Sequence, residues 1–85
     1  MMTYEQAVTT LATKTAMSRT DWEDFFSATP AQQAVIAKAY RDASWAKSPD
    51  VFADVLAILN VLVTIAGAVS GVSGAVAAVM ALKAV

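Results

Sequence analysis

The hydrophobic pattern of this chain changes character part-way along. Up to about Ser48, apolar residues recur every three or four positions among polar ones, and from Pro49 onward polar residues become rare. The first rhythm is that of short amphipathic helices. Thr3 to Met17 predicts a helix with Tyr4, Ala7, Val8, Leu11 and Ala12 on one face. Its five threonines lower helix propensity, so this helix depends on tertiary support. In "TDWEDFF", Thr20 with Glu23 three residues on predicts a capping box, and a short helix from Asp21 to about Ala28. "TPAQQ" predicts a further start, with Thr29 as cap, Pro30 in the first helical position and Gln32 completing the box. That helix is expected to run to about Lys47, with Val35, Ile36, Ala39, Tyr40 and Ala43 on its inner side. "SPD" repeats the device at Ser48, Pro49 and Asp50.

Beyond Asp54 the pattern is of another kind. Val55 to Leu82 is an uncharged run of 28 residues, longer than the roughly 18 to 20 that suggest a membrane span. As one helix it would reach about 42 Å, against ~30 Å of bilayer hydrocarbon. One long C-terminal helix is the expectation, and a hairpin broken around Gly67–Gly74, with short arms, is the alternative. Alternating steps of four and three residues visit Ala53, Ala57, Asn60, Thr64, Gly67, Gly71, Gly74, Ala78 and Ala81, all small or polar. The shifted frame visits Val55, Ile58, Leu62, Ile65, Val69, Val72, Val76 and Val79, all branched aliphatics. On a helix the two stripes lie roughly 150° apart. Small residues let helix backbones approach closely, so the first stripe is a candidate seam for self-association. Gly67 and Gly71 also form a GxxxG, and Ala66, Ser70, Gly74 and Ala78 add a second small row. Asn60 and Thr64 read as interhelical hydrogen-bond partners. Asp54 reads as an interfacial carboxylate near a helix start, or, more sharply, as one member of a carboxylate ring at a pore mouth.

Composition sharpens this division. The chain is 85 residues long, 58% hydrophobic and 15% charged, apolar enough to imply a membrane or subunit partners. Twelve of its thirteen charges lie between Glu5 and Asp54, and all seven aromatics lie at or before Phe52. The chain therefore reads as an all-α protein in two parts: an amphipathic head over 1–48 and an apolar, self-associating, transmembrane helix over 49–85. No basic segment followed by an apolar core opens it, so no signal peptide is expected. Lys38, Arg41 and Lys47 precede the span and Lys83 alone follows, which puts the N-terminus on the cytoplasmic side.

Chemistry is sparse. With no Cys and no His, the commonest metal ligands and general base are missing. Asp21, Glu23 and Asp24 are explained by capping, so no enzyme activity and no cofactor is expected. Lys38, Tyr40 and Arg41 read as a solvated face, and a net charge of −1 gives no footprint for specific nucleic-acid binding.

The run "GAVSGVSGAVAAVMALK", Gly67 to Lys83, together with the small size, resembles the small hydrophobic proteins of bacteriophages and bacteria: holins, and virion components that meet a membrane. The resemblance covers about a third of the chain. It departs from common holins in having no charged tail after Lys83. It departs likewise from filamentous-phage coat proteins, which carry several basic residues there. It implies a homo-oligomer in the bacterial inner membrane or the virion, contacting lipid and other virion proteins, as a pore in lysis or genome delivery. The alternative is a virion or filament subunit whose apolar helix is buried between protein subunits.

Overall fold

Six helices, and no strand, make up the described residues, 2–65 and 71–83, of the protein's structure, a computed structural model. Helix α1 (Tyr4–Thr15) starts where Thr3 Oγ1 accepts from the Gln6 amide at 3.1 Å and Gln6 Oε1 accepts from the Thr3 amide at 3.0 Å. It closes at Ala16, whose φ of 57° is left-handed. Helix α2 (Arg19–Ser27) begins two residues before the expected place. Two Ser/Thr-x-x-acid patterns overlap here, and the earlier one is used: Ser18 Oγ accepts from the Asp21 amide at 3.0 Å. With that start Arg19 reaches Glu5 at 2.5 Å, and the Trp22 indole donates to Thr15 Oγ1 at 3.0 Å.

Helix α3 (Pro30–Tyr40) has the predicted Thr29/Gln32 capping box but stops short of Lys47. A turn at 41–43 leads into a four-residue helix α4 (Ser44–Lys47). The break carries Trp45 back among the rings of Trp22, Tyr40 and Phe52. The inner face of α3 is rotated from the expected one. Gln33 and Ala37 are buried, Ile36, Tyr40 and Ala43 are half-buried, Ala39 is exposed and Val35 is 68% exposed. Gln33 takes the inward position because two backbone carbonyls await its carboxamide. Its Nε2 donates to Phe25 O at 3.0 Å and Gly71 O at 2.8 Å.

The long C-terminal helix is not found. Helix α5 (Pro49–Thr64) is capped by Ser48 as predicted, and Ile65 leaves it in an extended conformation. Helix α6 runs from Gly71 to Lys83. A helix of about 42 Å would overrun a molecule whose greatest extent is 32 Å. Separated from each other, the two helices bring both halves of the bulky stripe into one core. Val55, Ile58, Leu62, Val72, Val76 and Val79 are buried there beside Val8, Leu11, Trp22 and Phe25. The aliphatic face expected to meet lipid thus packs against the protein's own N-terminal helices. No helix among the described residues is long and apolar enough to cross a membrane.

Helices α3 and α6 run side by side in the same direction. Gln33 lies against Gly71 and Gly74 at one end, and Arg41 shares a cleft with Leu82 at the other. Lys14, near the end of α1, reaches Asp54 near the start of α5.

Candidate self-association surface

The small stripe meets two different fates. On α6, Gly71, Gly74 and Ala78 are half-buried within the chain itself. A Cβ on Gly71 would overlap the Phe26 carbonyl oxygen, and one on Gly74 would overlap Gln33 Oε1. This half of the stripe is a helix–helix seam, and its partners are α2 and α3 of the same molecule. Ala81 is exposed, at the edge of a cleft shared with Lys38 and Arg41. Gly67 lies outside the described residues, as do Ala66, Val69 and Ser70.

On α5 the stripe faces outward. Ala53, Ala57, Asn60 and Thr64 are exposed, directly opposite the buried Val55, Ile58, Leu59 and Leu62. Val61 and Val63 flank them at 38% and 44% exposure. The two polar members bond to their own helix: Asn60 Nδ2 donates to Leu56 O at 3.0 Å, and Thr64 Oγ1 donates to Val61 O at 2.7 Å. Their hydrogen-bonding capacity is thus partly met within α5, and what they add outward is mainly small, uncharged surface. Asp54 marks the edge of this face. Lys14 Nζ stands 3.3 Å from its Oδ2, with both side chains substantially exposed. Such a pair contributes at most about 1 kcal/mol, and it fixes Asp54 on α1.

No family model, curated protein or solved structure matches the chain.

The aromatic residues that a head-mediated docking surface would need are inside: Trp22, Phe25 and Phe26 are at most 1% exposed and Trp45 is 3%. Asp21 Oδ2 accepts from the Ser18 amide in the capping box of α2, and among the described residues no three acidic side chains gather as a metal site would require. Burial and the nearby Asp21 carboxylate push the Tyr40 phenol up to about 12. Burial, with Glu23 and Glu5 beside it, raises that of Tyr4. The structural weight carried by Gln33 and Thr15 has no sequence signal of its own. Each is a polar residue in an amphipathic helix until its buried partner is known.

Proposed function

We propose that this protein is a non-enzymatic helical subunit that works by associating with copies of itself, meeting them along the outer face of α5. The observation that carries the reading is the contrast between the two halves of the stripe. The α6 half already has a helix on it, and the α5 half offers a similar run of small residues to solvent. Ala53, Ala57, Asn60 and Thr64 form a shallow track into which a neighbouring helix can settle closely. Val61 and Val63 supply apolar rims. Two copies meeting face to face by α5 form a closed pair; a contact with a second, different surface propagates into a ring or filament. A structural subunit of a virion or filament is the setting this supports.

The test is sedimentation velocity and crosslinking of the full chain beside Ala57→Lys and Ala57→Trp. Both changes sit on the exposed face, so the monomer fold survives, and both are expected to lower oligomer content sharply. Unchanged oligomers in both variants would remove α5 as the interface. Gly71→Leu, which on the sequence alone would test assembly, tests folding instead, because Gly71 contacts Phe26.

A second reading, the membrane pore or conduit of lysis or genome delivery, is favoured by one observation: the uncharged run from Val55 to Leu82. It requires α5 and α6 to leave the core. Exposing Val72, Val76 and Val79 to water costs on the order of 5–9 kcal/mol, comparable with the whole net stability of a small domain. A bilayer would have to supply that energy. Dye release from liposomes, with flotation and a carbonate wash, separates this reading from the first.

A further inference from the structure

The charges of this protein are not evenly neutralised. Of its six cationic side chains, Lys14 pairs with Asp54 and Arg19 with Glu5. The other four, Lys38, Arg41, Lys47 and Lys83, have no ion-pair partner among the described residues, and they gather at one place. Arg41, Lys47 and Lys83 line a cleft of about 210 Å³ whose apolar wall is Ala46, Pro49, Phe52 and Leu82. Lys38 joins Arg41 and Leu82 at the adjoining hollow. Two stretches distant in sequence build it: 41–52, which runs from the turn after α3 through α4 into the start of α5, and the end of α6. Asp42 and Asp50 stand next to two of these residues in sequence, and neither lines the cleft.

We propose that this cleft binds an anionic amphiphile: a phosphate monoester head held by Arg41, Lys47 and Lys83, with a short alkyl chain lying on Phe52 and Leu82. Charge and shape each narrow the choice. An Arg with two flanking Lys suits a dianionic tetrahedral head better than a single carboxylate, since the guanidinium offers paired donors and the ammonium groups add point charge. At about 210 Å³ the cleft is smaller than the ~300–1,000 Å³ pockets that take drug-sized ligands, which suits one short alkyl chain. Phe52 is 6% exposed and Leu82 is half-buried. Both are recessed, so a chain must come in to them, and they do not project as a membrane-inserting wedge would. Phe52 also stacks on Trp45, with ring centroids 6.2 Å apart and planes 17° apart. Occupation of the cleft is thereby coupled to an indole buried in the core.

The proposal is independent of assembly through α5. Isothermal titration of the full chain with octyl phosphate, below its micelle concentration, is the direct test, with indole fluorescence as a second readout. One-to-one binding is expected, on the order of ten-fold tighter or more than that of octanol or of inorganic phosphate. Lys47→Glu with Lys83→Glu, both at exposed positions, should weaken octyl phosphate about ten-fold or more. Ala46→Leu should weaken octyl phosphate by filling the cleft while leaving inorganic phosphate unaffected. Ala57→Lys should change neither. No binding, or binding unaltered by the charge and cleft-filling variants, overturns the proposal. Binding only to phosphatidylglycerol vesicles also overturns it, in favour of a membrane-facing basic patch.

Discussion

Gly71 rests directly on the carbonyl of Phe26, so the backbones of α6 and α2 meet with no side chain between them. In an ordinary helix, replacing Gly by Ala stabilises by about 1 kcal/mol. Here the added methyl meets a backbone oxygen that cannot rotate away, and the sign reverses. Gly71→Ala is expected to lose about 1–3 kcal/mol in urea unfolding, in the range of overpacked cores. Gly74→Ala should lose less, because the atom it meets is the end of the Gln33 side chain. A Gly71→Ala protein as stable as the parent would show that α6 can shift away from α2.

The polar link between α1 and α2 gives a second expectation. Thr15 Oγ1 accepts from the Trp22 indole at 3.0 Å and donates to Leu11 O at 2.6 Å, with Thr15 itself 6% exposed. Thr15→Val keeps the shape and removes the acceptor, leaving a buried N–H without a partner at a cost of about 1–3 kcal/mol. Trp45 provides the contrast, since its indole N–H is already buried without a hydrogen-bond partner among the described residues. Trp22→Phe should therefore destabilise more than Trp45→Phe, although both remove a similar volume. Equal losses in denaturant titrations would mean that the Thr15 bond contributes nothing net.

Parts of this fold could be read from local signals, and parts depended on distant ones. The caps at Thr29 and Ser48 are contained within four residues, so their helices start where the sequence predicts. The inward and outward stripes of α5 also follow from local periodicity. The break after Thr64 does not. The run from Val55 to Leu82 has no proline and no charge, and its three glycines mark only the neighbourhood of a break, which is why a hairpin around Gly67–Gly74 stands as the alternative to one long helix. What bends the chain is the gain from burying Val55, Leu62, Val72 and Val79 against Leu11, Trp22 and Phe25, which lie far away in sequence. The same non-local cause hid the role of Gln33. Two misplaced apolar positions, Val35 and Ala39, follow from it, because turning Gln33 inward rotates them out. The small stripe was legible as a packing surface, but not which helix would occupy it.

The end of α1 supplies a stabilising change. Ala16 is the one non-glycine residue with positive φ among the described residues, and its Cβ makes the left-handed conformation unfavourable by roughly 1–2 kcal/mol. Glycine removes that strain but increases the freedom of the unfolded chain. The balance favours glycine at a helix C-terminus of this kind. Ala16→Gly should raise stability by about 0.5–1 kcal/mol, seen as a higher melting temperature at neutral pH. A lower melting temperature would place Ala16 outside the left-handed region in solution.

Tyr40 makes stability fall in alkaline solution, and the direction follows from where its proton is held. In the unfolded chain the phenol ionises near its usual value of 10.0, whereas in the folded protein burial, and secondarily Asp21, push it up to about 12. Between those values the unfolded chain has released a proton that the folded chain retains, so raising the pH favours unfolding. The contribution is fully present below pH 10 and is lost progressively as pH climbs from 10 to 12. Tyr40 is only half-buried, so solvent screening reduces its size. Tyr40→Phe cannot ionise, and it packs nearly the same ring against Trp22, Phe25 and Trp45. Its stability should therefore decline less steeply over this window, while differing little from the parent at pH 7. Urea unfolding of the pair at pH 8, 10 and 11 measures the difference, and parallel curves would mean that Tyr40 ionises as freely in the folded chain as in the unfolded one.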